Sequence, residues 1–317
     1  MSAEPVRVER HDATQVALRA AIEQVNQVVF GKRAQIDLCF ACLLAGGHLL
    51  IEDVPGVGKT TLAHAMAQSL GLSYQRIQFT SDLLPSDILG VSIFDRDSGE
   101  FRFHPGPIFA QLVLADEINR ATPKTQSALL EAMAEQQVTA DGASRPLPQP
   151  FLVVATQNPV DLAGTFPLPD SQLDRFLMRL SLGYPDADAE RQMLAASDRR
   201  ELLTQLGARL DTAQVLDLRR RVGQVTTSAA LIDYVQRLLA ATRQHGQIRV
   251  GLSPRAGLAL LAAARAVAFL SGRGFVLPED VQAVFASVAA HRLVPAAEAT
   301  LPRDALATEV LKSVRVD

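Results

Sequence analysis

The sequence predicts an α/β core over residues 1–182, followed by an all-α domain over residues 183–317. Three observations favour this fold class. Short apolar runs typical of buried parallel strands alternate with helical patterns as far as Leu180. One of these runs passes through a Gly/Pro turn directly into a helix. Beyond Tyr184-Pro185 the apolar spacing is helical apart from a short strand at Ile248–Val250, which places a domain boundary near Gly183. The predicted helices there include Ala187–Ala196, Thr212–Val222, Ala229–His245 with Ser228 as cap, Pro254–Leu270 with Ser253 as cap, and Glu279–His291.

Composition excludes several classes of protein. The chain has 317 residues, of which 48% are hydrophobic and 21% are charged, so it can bury the cores of about two domains. Its net charge of −3 argues against extensive nucleic-acid binding, although a local basic loop is compatible with it. The first residues carry no apolar signal region, and no uncharged apolar run reaches about 18 residues. We therefore expect a cytoplasmic protein without a membrane span.

The strand–turn–helix at residues 48–70 has the composition of a phosphate-binding loop. Gly56 and Gly58 let backbone N–H groups face a triphosphate, and the helix that follows adds its N-terminal partial positive charge. Lys59 would reach the β- and γ-phosphates, and the Thr60 hydroxyl would ligate Mg²⁺. The predicted nucleotide-binding residues of this stretch are Pro55, Gly56, Val57, Gly58, Lys59, Thr60 and Thr61.

The stretch departs from the general G-x-x-x-x-G-K-[ST] pattern at its first glycine, where this chain has Asp53. From the residues alone, the alternative is a Gly-rich turn that contains Lys-Thr by chance. Upstream, residues 12–29 have helical spacing after a cap at Asp12 or Thr14, with apolar positions at Leu18, Ile22, Val25 and Val29, and lead into the turn Val28–Lys32. An adenine could lodge there against Val29 and Gly31, or the turn could be a plain connector.

Two later strands end in polar residues suited to hydrolysis. The run Gln111–Ala115 is followed by Asp116, which could hold the Mg²⁺ shell, and Glu117, which could activate the attacking water. The alternative is a pair of solvated acids that opens a loop. The run Phe151–Pro159 predicts another buried strand that ends in a polar amide beside a proline. That amide, Asn158, could orient the water or the γ-phosphate, or could simply form a turn before proline.

Three smaller features complete the pattern. Alternating residues around Asp/Ser/Gly turns predict β-hairpins over 92–103 and 137–147. Arg255 lies in the first turn of a helix, which suggests either a phosphate contact or a surface salt bridge. Cys39 and Cys42 lie in an apolar helix and without further ligands, so we interpret them as core residues rather than a zinc or redox pair.

Four ordered stretches resemble the MoxR family of AAA+ ATPases, and the likeness spans about residues 14–315. The stretches are IEDVPGVGKT at 51–60, LADEINRA at 114–121, ATQNP at 155–159 and PLPDSQLDRF at 167–176. In that family aspartate at position 53 is an accepted variation. The resemblance implies a P-loop AAA+ core with a helix-2 insert and a pre-sensor-1 hairpin, followed by an all-α lid.

The resemblance also implies roles for single residues. The matched positions are Lys59 and Thr60 in Walker A, Asp116 and Glu117 in Walker B, Asn158 as sensor 1, Arg175 as the arginine finger that reaches the neighbouring subunit's ATP, and Arg255 as sensor 2. Members are expected to form hexameric rings that use ATP and Mg²⁺ to remodel or mature client proteins, commonly with a von Willebrand factor A (VWA) domain partner. This chain has no D-x-S-x-S motif of that partner domain, so any such partner is a separate protein.

The expected function is therefore ATP hydrolysis coupled to work on a protein client. One alternative is a nucleotide-gated scaffold, in which ATP occupancy switches partner binding. Another is a nucleic-acid- or chelatase-type AAA+ machine, because such groups share the helix-2 insert. The near-neutral charge and the 5% aromatic content disfavour the nucleic-acid version.

Overall fold

The computed structural model of the chain describes residues 6–159, 164–195 and 199–316. Within these ranges the chain forms strands and helices in alternation, and then mainly helices. The strands are β1 Leu49–Glu52, β2 Tyr74–Gln78, β3 Gly90–Asp95, β4 Glu100–Pro105, β5 Leu112–Asp116, β6 Gln137–Ala140, β7 Ala143–Pro146, β8 Leu152–Gln157, β9 Met178–Leu180, β10 Ile248–Val250 and β11 Val294–Pro295.

The helices range from one turn to about six turns. They are α1 Val6–Asn26, α2 Arg33–Leu44, α3 Lys59–Ser69, α4 Pro85–Leu89, α5 Pro123–Glu135, α6 Asp170–Leu173, α7 Ala187–Ala195, α8 Arg199–Gln205, α9 Thr212–Gly223, α10 Ala229–Gln244, α11 Pro254–Leu270, α12 Pro278–Ala289 and α13 Arg303–Ser313, with 3₁₀ turns at Ile118–Arg120 and Ala290–Arg292. No helix in the described ranges is both long and apolar enough to cross a membrane.

The main sheet has five strands in the order β2-β5-β8-β1-β9. The pairs β2–β5 and β5–β8 are parallel, with Gln78 opposite Asp116 and Ala115 opposite Ala155. Every residue of β5 is buried, which explains its continuous apolar run. Because parallel strands end at the same edge, the register brings the C-terminal residues of β2, β5 and β8 together.

Both predicted hairpins are present. Strands β3 and β4 pair antiparallel over 90–105, and β6 and β7 pair over 137–146. The second hairpin turns at Asp141 and Gly142, whose φ angles of 53° and 73° lie in the left-handed region that short polar residues and glycine tolerate.

The chain divides into two compact units. Among the described residues, the first contains 6–36, 51–166 and 181–218, and the second contains 37–50, 167–180 and 219–316. In the first unit α1 buries its predicted apolar face, including Leu18, Ile22 and Val25. The second unit is mainly helical, and the Oγ atoms of Ser228 and Ser253 cap α10 and α11 as predicted, accepting from Leu231 N and Ala256 N at 3.2 Å.

Several predicted boundaries are wrong. Helix α1 begins at Val6, before either alternative for the predicted cap, Asp12 or Thr14. Helices α8 and α13 were not predicted. The C-terminal region also contains a second strand, β11, which was not predicted and which pairs with β10. Two residues are too few to produce an alternating pattern, so β11 leaves no periodic signal. The predicted last residue of α7, Ala196, lies outside the described residues.

Candidate functional site

The phosphate loop joins the end of β1 to the start of α3. Gly56 and Gly58 adopt φ angles of 85° and 96°, a conformation that residues with a Cβ rarely adopt. An added Cβ at either position would meet no atom within 4 Å, so space is open beside both backbones. The loop therefore has the curvature and the room that a phosphate chain requires, directly at the N-terminus of a helix.

Lys59 lies against the backbone of its own loop. Its Nζ donates to the carbonyl oxygen of Asp53 at 2.6 Å and to that of Val54 at 3.3 Å. Burial lowers the pKa of Lys59, and the nearby carboxylates of Asp53, Asp116 and Glu117 oppose that shift. The lysine thus lies in a partly desolvated position close to Asp116 and Glu117, which we call the acidic pair.

Asp53 has a structural role that the motif does not reveal. Its buried carboxylate accepts from the N–H of Gly183 at 2.6 Å, from the Ser181 hydroxyl at 3.0 Å and from the N–H of Val54 at 2.9 Å. The N–H of Asp53 donates to the carbonyl of Gln157 at the end of β8, at 3.1 Å. The residue that departs from the general pattern therefore ties the loop to two neighbouring segments.

Replacing Asp53 by glycine, the residue of the general pattern, should weaken the site. The change removes the carboxylate that accepts three part-buried hydrogen bonds, and we expect the free energy of unfolding to fall by about 2 kcal/mol. ATP affinity should fall as well, because the loop loses its anchor. Thermal melting and nucleotide titration measure both effects, with Asp97→Gly in the exposed hairpin turn as the control. Unchanged melting and affinity would show that the carboxylate holds nothing in place.

The connector before α2 forms a pocket with the phosphate loop. Its lining residues are Val28, Val29, Phe30, Lys32, Val57, Gly58, Thr61, Pro185 and Met193. Most of these side chains are apolar, which suits the faces of a nucleotide base. Gly31 has a φ of 69°, and an added Cβ there would lie 2.7 Å from the Cβ of Ala189. Val29 thus lies beside the phosphate loop, and Gly31 allows close packing of the connector against α7.

Asp116 is held from two sides. Its Oδ1 accepts from the Thr156 hydroxyl at 2.6 Å, and its Oδ2 accepts from Arg76 Nη2 at 2.7 Å and from Arg76 Nε at 3.1 Å. Its side chain is 11% exposed, whereas that of Arg76 is 49% exposed. The carboxylate therefore lies in a fixed orientation at the end of β5, beside a cation.

Glu117 occupies a left-handed backbone conformation with a φ of 58°. Such a conformation costs a non-glycine residue about 1–2 kcal/mol. Its N–H donates to the Thr156 hydroxyl at 2.9 Å, and its Oε2 accepts from Arg120 Nε at 2.8 Å and Gln78 Nε2 at 3.1 Å. Gln78 also accepts from Arg76, at 2.8 Å, so one chain of polar side chains connects the two acids.

The remaining predicted site residues are distributed over both units. Asn158 directly follows β8 in the first unit, at the sheet edge that carries the acidic pair. In the second unit, Arg175 lies in the turn after α6, and Arg255 lies in the first turn of α11. The motif positions of the first unit are thus brought to one edge of the sheet, and the two arginines belong to the second unit.

The cysteines take no part in this site. Cys39 and Cys42 are buried free thiols, as predicted for core residues. Burial raises the pKa of both, that of Cys42 to about 12, so they remain protonated near neutral pH. Within the described part of the chain, no group of three or more His, Cys, Asp or Glu side chains forms a metal cluster.

Comparison with known proteins agrees with this geometry. Residues 48–178 match the family described as "ATPase family associated with various cellular activities (AAA)", and residues 240–310 match the AAA lid domain. Chaperone MoxR1 of Mycobacterium tuberculosis is 40% identical over 311 residues, which cover 95% of this chain and 80% of that protein. The protein YeaC of Bacillus subtilis is 45% identical over 302 residues, or 94% of each chain.

A solved structure agrees over almost the whole chain. The crystal structure of a protein from Cytophaga hutchinsonii that is assigned as an ATPase has a TM-score of 0.89 and 36% identity, and covers 98% of both chains. The phosphate loop, the acidic pair and the lid domain define an AAA+ ATPase, which hydrolyses ATP. Within that class, the chain belongs to the MoxR family, as the resemblance of its motifs predicts.

Sequence reasoning missed the partners of the site residues. Thr156 contacts both acids, and Arg76 and Gln78 reach them from β2. The signal for the β2 pair was present, because two polar residues two positions apart at the end of a strand lie on one face. Their target was not predictable without the register of β2 on β5.

Proposed function

We propose that the chain works as a magnesium-dependent, ring-forming ATPase that remodels or matures a protein client, in concert with a separate VWA-domain protein. The observation that carries the catalytic part is the pairing of an open phosphate loop with two oriented carboxylates in one unit. A relative that is named chaperone MoxR1 supports the client-directed part. The predicted hexamer and the VWA partner rest on the family resemblance.

The residues present fit both ATP and Mg²⁺. Thr60 and Asp116 offer a hydroxyl and a carboxylate, and Mg²⁺ favours such oxygen donors together with phosphate oxygens and water. The loop backbone and the N-terminus of α3 would bind the β- and γ-phosphates, with Lys59 turning from the Asp53 carbonyl towards them. When bound, Mg²⁺ neutralises charge on these phosphates.

The acidic pair and the neighbouring polar residues would accept the proton of the attacking water and stabilise the charge that develops during hydrolysis. Glu117 would orient the attacking water and accept its proton, and Asn158 would hold the water or the γ-phosphate in line. Arg255 would bind phosphate from the lid. Arg175 of the adjacent protomer would offset the negative charge that develops in the transition state.

Assembly tests this proposal directly. If the finger is supplied in trans, specific activity must rise with protein concentration until rings are complete, since a lone protomer lacks one catalytic group. ATP turnover measured across the range where sedimentation shows assembly should follow the assembled fraction. Flat specific activity over that range contradicts the trans arrangement, and Lys59→Ala supplies the background at each concentration.

Client binding requires a separate experiment. With ATP present, Glu117→Gln protein should retain a client. Lys59→Ala protein should not retain that client, because it should not bind ATP. A recovered client must then bind the purified Glu117→Gln protein with ATP and dissociate from the wild type as ATP is consumed. Equal retention by both variants would argue against ATP-coupled work.

A nucleotide-gated scaffold is the second candidate, and one observation favours it. In the structure both acids are engaged by protein side chains, Asp116 by Arg76 and Glu117 by Arg120 and Gln78. Rearrangement of these contacts when nucleotide binds would provide such a switch. Glu117→Gln separates the candidates, because a scaffold would still activate its partner when ATP is bound but not hydrolysed.

Arg76→Gln should change the magnesium requirement. The guanidinium bound to Asp116 Oδ2 competes for the oxygens that would hold the ion. A partly exposed ion pair contributes about 0.2–1 kcal/mol, so the Mg²⁺ concentration that gives half-maximal binding of fluorescent ATP should fall by up to about fivefold. The exposed Arg102→Gln is the control. A higher requirement in Arg76→Gln would mean that Arg76 positions Asp116 rather than competing with the ion.

A further inference from the structure

The turn that contains Arg175 is held by one buried guanidinium. Arg292, whose side chain is 6% exposed, donates Nη2 to the carbonyl oxygens of Phe176 at 2.7 Å and Asp174 at 3.3 Å. Its Nη1 donates to the carbonyl of Leu177 at 3.1 Å. The same side chain therefore holds the peptide group that precedes Arg175 and the two peptide groups that follow Phe176 and Leu177.

The charge of Arg292 is paired at the same turn. Its Nε donates to Asp174 Oδ1 at 2.6 Å, and its Nη1 also donates to the carbonyl of Val288 at the end of α12. Burial lowers the pKa of Arg292, and the Asp174 carboxylate opposes that shift. A guanidinium remains charged in this setting, so its hydrogen bonds are charge-assisted and stronger than neutral ones.

Neighbouring residues reinforce this hold. His291 Nε2 lies 3.0 Å from the carbonyl oxygen of Phe176, whose ring is fully buried. Arg303 bonds the carbonyl of His291 at 3.1 Å and the Asp170 carboxylate at the start of α6 at 2.8 Å. Arg255 also lies close enough for its charge to lower the pKa of Arg292. Arg292 thus lies beside the backbone that carries Arg175 and near the charge of Arg255.

We propose that Arg292 is a positioning residue that fixes the backbone on either side of Arg175, so that the finger reaches the neighbouring protomer's ATP in the correct geometry. This inference rests on the proposed trans role of Arg175. A long, flexible arginine side chain can be placed to within a fraction of an ångström only if its backbone is rigid. A displacement of about 1 Å at a catalytic group can cost about 10²-fold in rate.

The design that tests this separates the finger from the protomer's own ATP site. Lys59→Ala protomers should not bind ATP but keep their finger, whereas Arg175→Ala protomers bind ATP but lack a finger. Neither should turn over ATP alone, and mixing them should restore turnover at interfaces where a Lys59→Ala protomer faces an Arg175→Ala site. Any further change in the Lys59→Ala protomer then reports only on finger delivery.

Adding Arg292→Lys to the Lys59→Ala protomer should reduce the restored turnover by about tenfold or more, because an ammonium keeps the charge beside Asp174 but cannot hold all the carbonyls at once. Arg292→Gln should reduce it by about 10²-fold. Lys59→Ala with Arg249→Gln, an exposed change in β10, is the matched donor control. Melting and sedimentation identify the donors that fold and assemble. If the Arg292→Gln donor fails either measurement, the turnover restored by the Arg292→Lys donor decides the test.

Two results remain distinguishable. If Lys59→Ala and Arg175→Ala fail to complement, or if Arg175→Ala alone keeps its turnover, the trans finger itself is wrong. If they complement and the Arg292→Lys donor restores as much turnover as the Arg249→Gln donor, only the positioning role is overturned. In an otherwise wild-type protein, Arg292→Lys should lower kcat and leave the Kd for ATP within about twofold of wild type, as a group acting on the neighbour's site requires.

Discussion

Arg175→Ala is expected to lower ATP turnover by about 10³-fold or more while leaving ATP affinity nearly unchanged. An arginine finger contributes about 10³–10⁵ in rate because it offsets charge that is present only in the transition state. The loss should therefore appear in kcat, and the Kd for ATP, which reports the protomer's own loop, should stay within about threefold of wild type.

Steady-state kinetics and a fluorescent-ATP titration on assembled protein provide the measurements. Arg249→Ala, an exposed arginine in β10, controls for the loss of a positive charge from the same unit. Sedimentation must show that Arg175→Ala still assembles, since loss of the ring would lower turnover by a different route. Retention of more than a tenth of wild-type turnover in assembled Arg175→Ala would remove this residue from the catalytic machinery.

The local parts of the site were predictable from the sequence. The phosphate loop follows from a strand, a glycine turn and a helix within a few residues, and Asp116 and Glu117 follow from a buried apolar run that ends in acids. Each of these signals lies in one short stretch. The hairpins were predictable for the same reason, because alternation and turn residues are local.

The contacts that orient the site were not predictable, because they join distant positions. Arg76 meets Asp116 across 40 residues, and Arg292 meets Asp174 across 118. Asp53 shows that distant contacts can also explain a residue that a local motif disfavours. As a motif position it counted against a phosphate loop, and only the approach of Ser181 and Gly183 explains why a carboxylate belongs there. Short-range patterns therefore predicted candidate residues for the chemistry, but not the residues that hold those candidates in place.

The backbone at Glu117 adds a detail that no pattern predicts. A non-glycine residue at a φ of 58° is strained, and the hydrogen bond from its N–H to the Thr156 hydroxyl stabilises this conformation. The same hydroxyl donates to Asp116, so one threonine sets the relative orientation of both acids.

Glu117→Gln is expected to reduce ATP turnover by about 10²–10⁴-fold, whereas ATP should still bind and rings should still assemble. The amide keeps the shape of the carboxylate and its oxygen can still accept from Gln78 and Arg120, but it cannot take a proton from water. Single-turnover hydrolysis measures the chemical step, and a fluorescent-ATP titration measures binding. Glu135→Gln, at the end of α5, is the matched control for the same loss of charge. Turnover within about tenfold of wild type would mean that another group activates the water, and the acidic pair would then serve the metal alone.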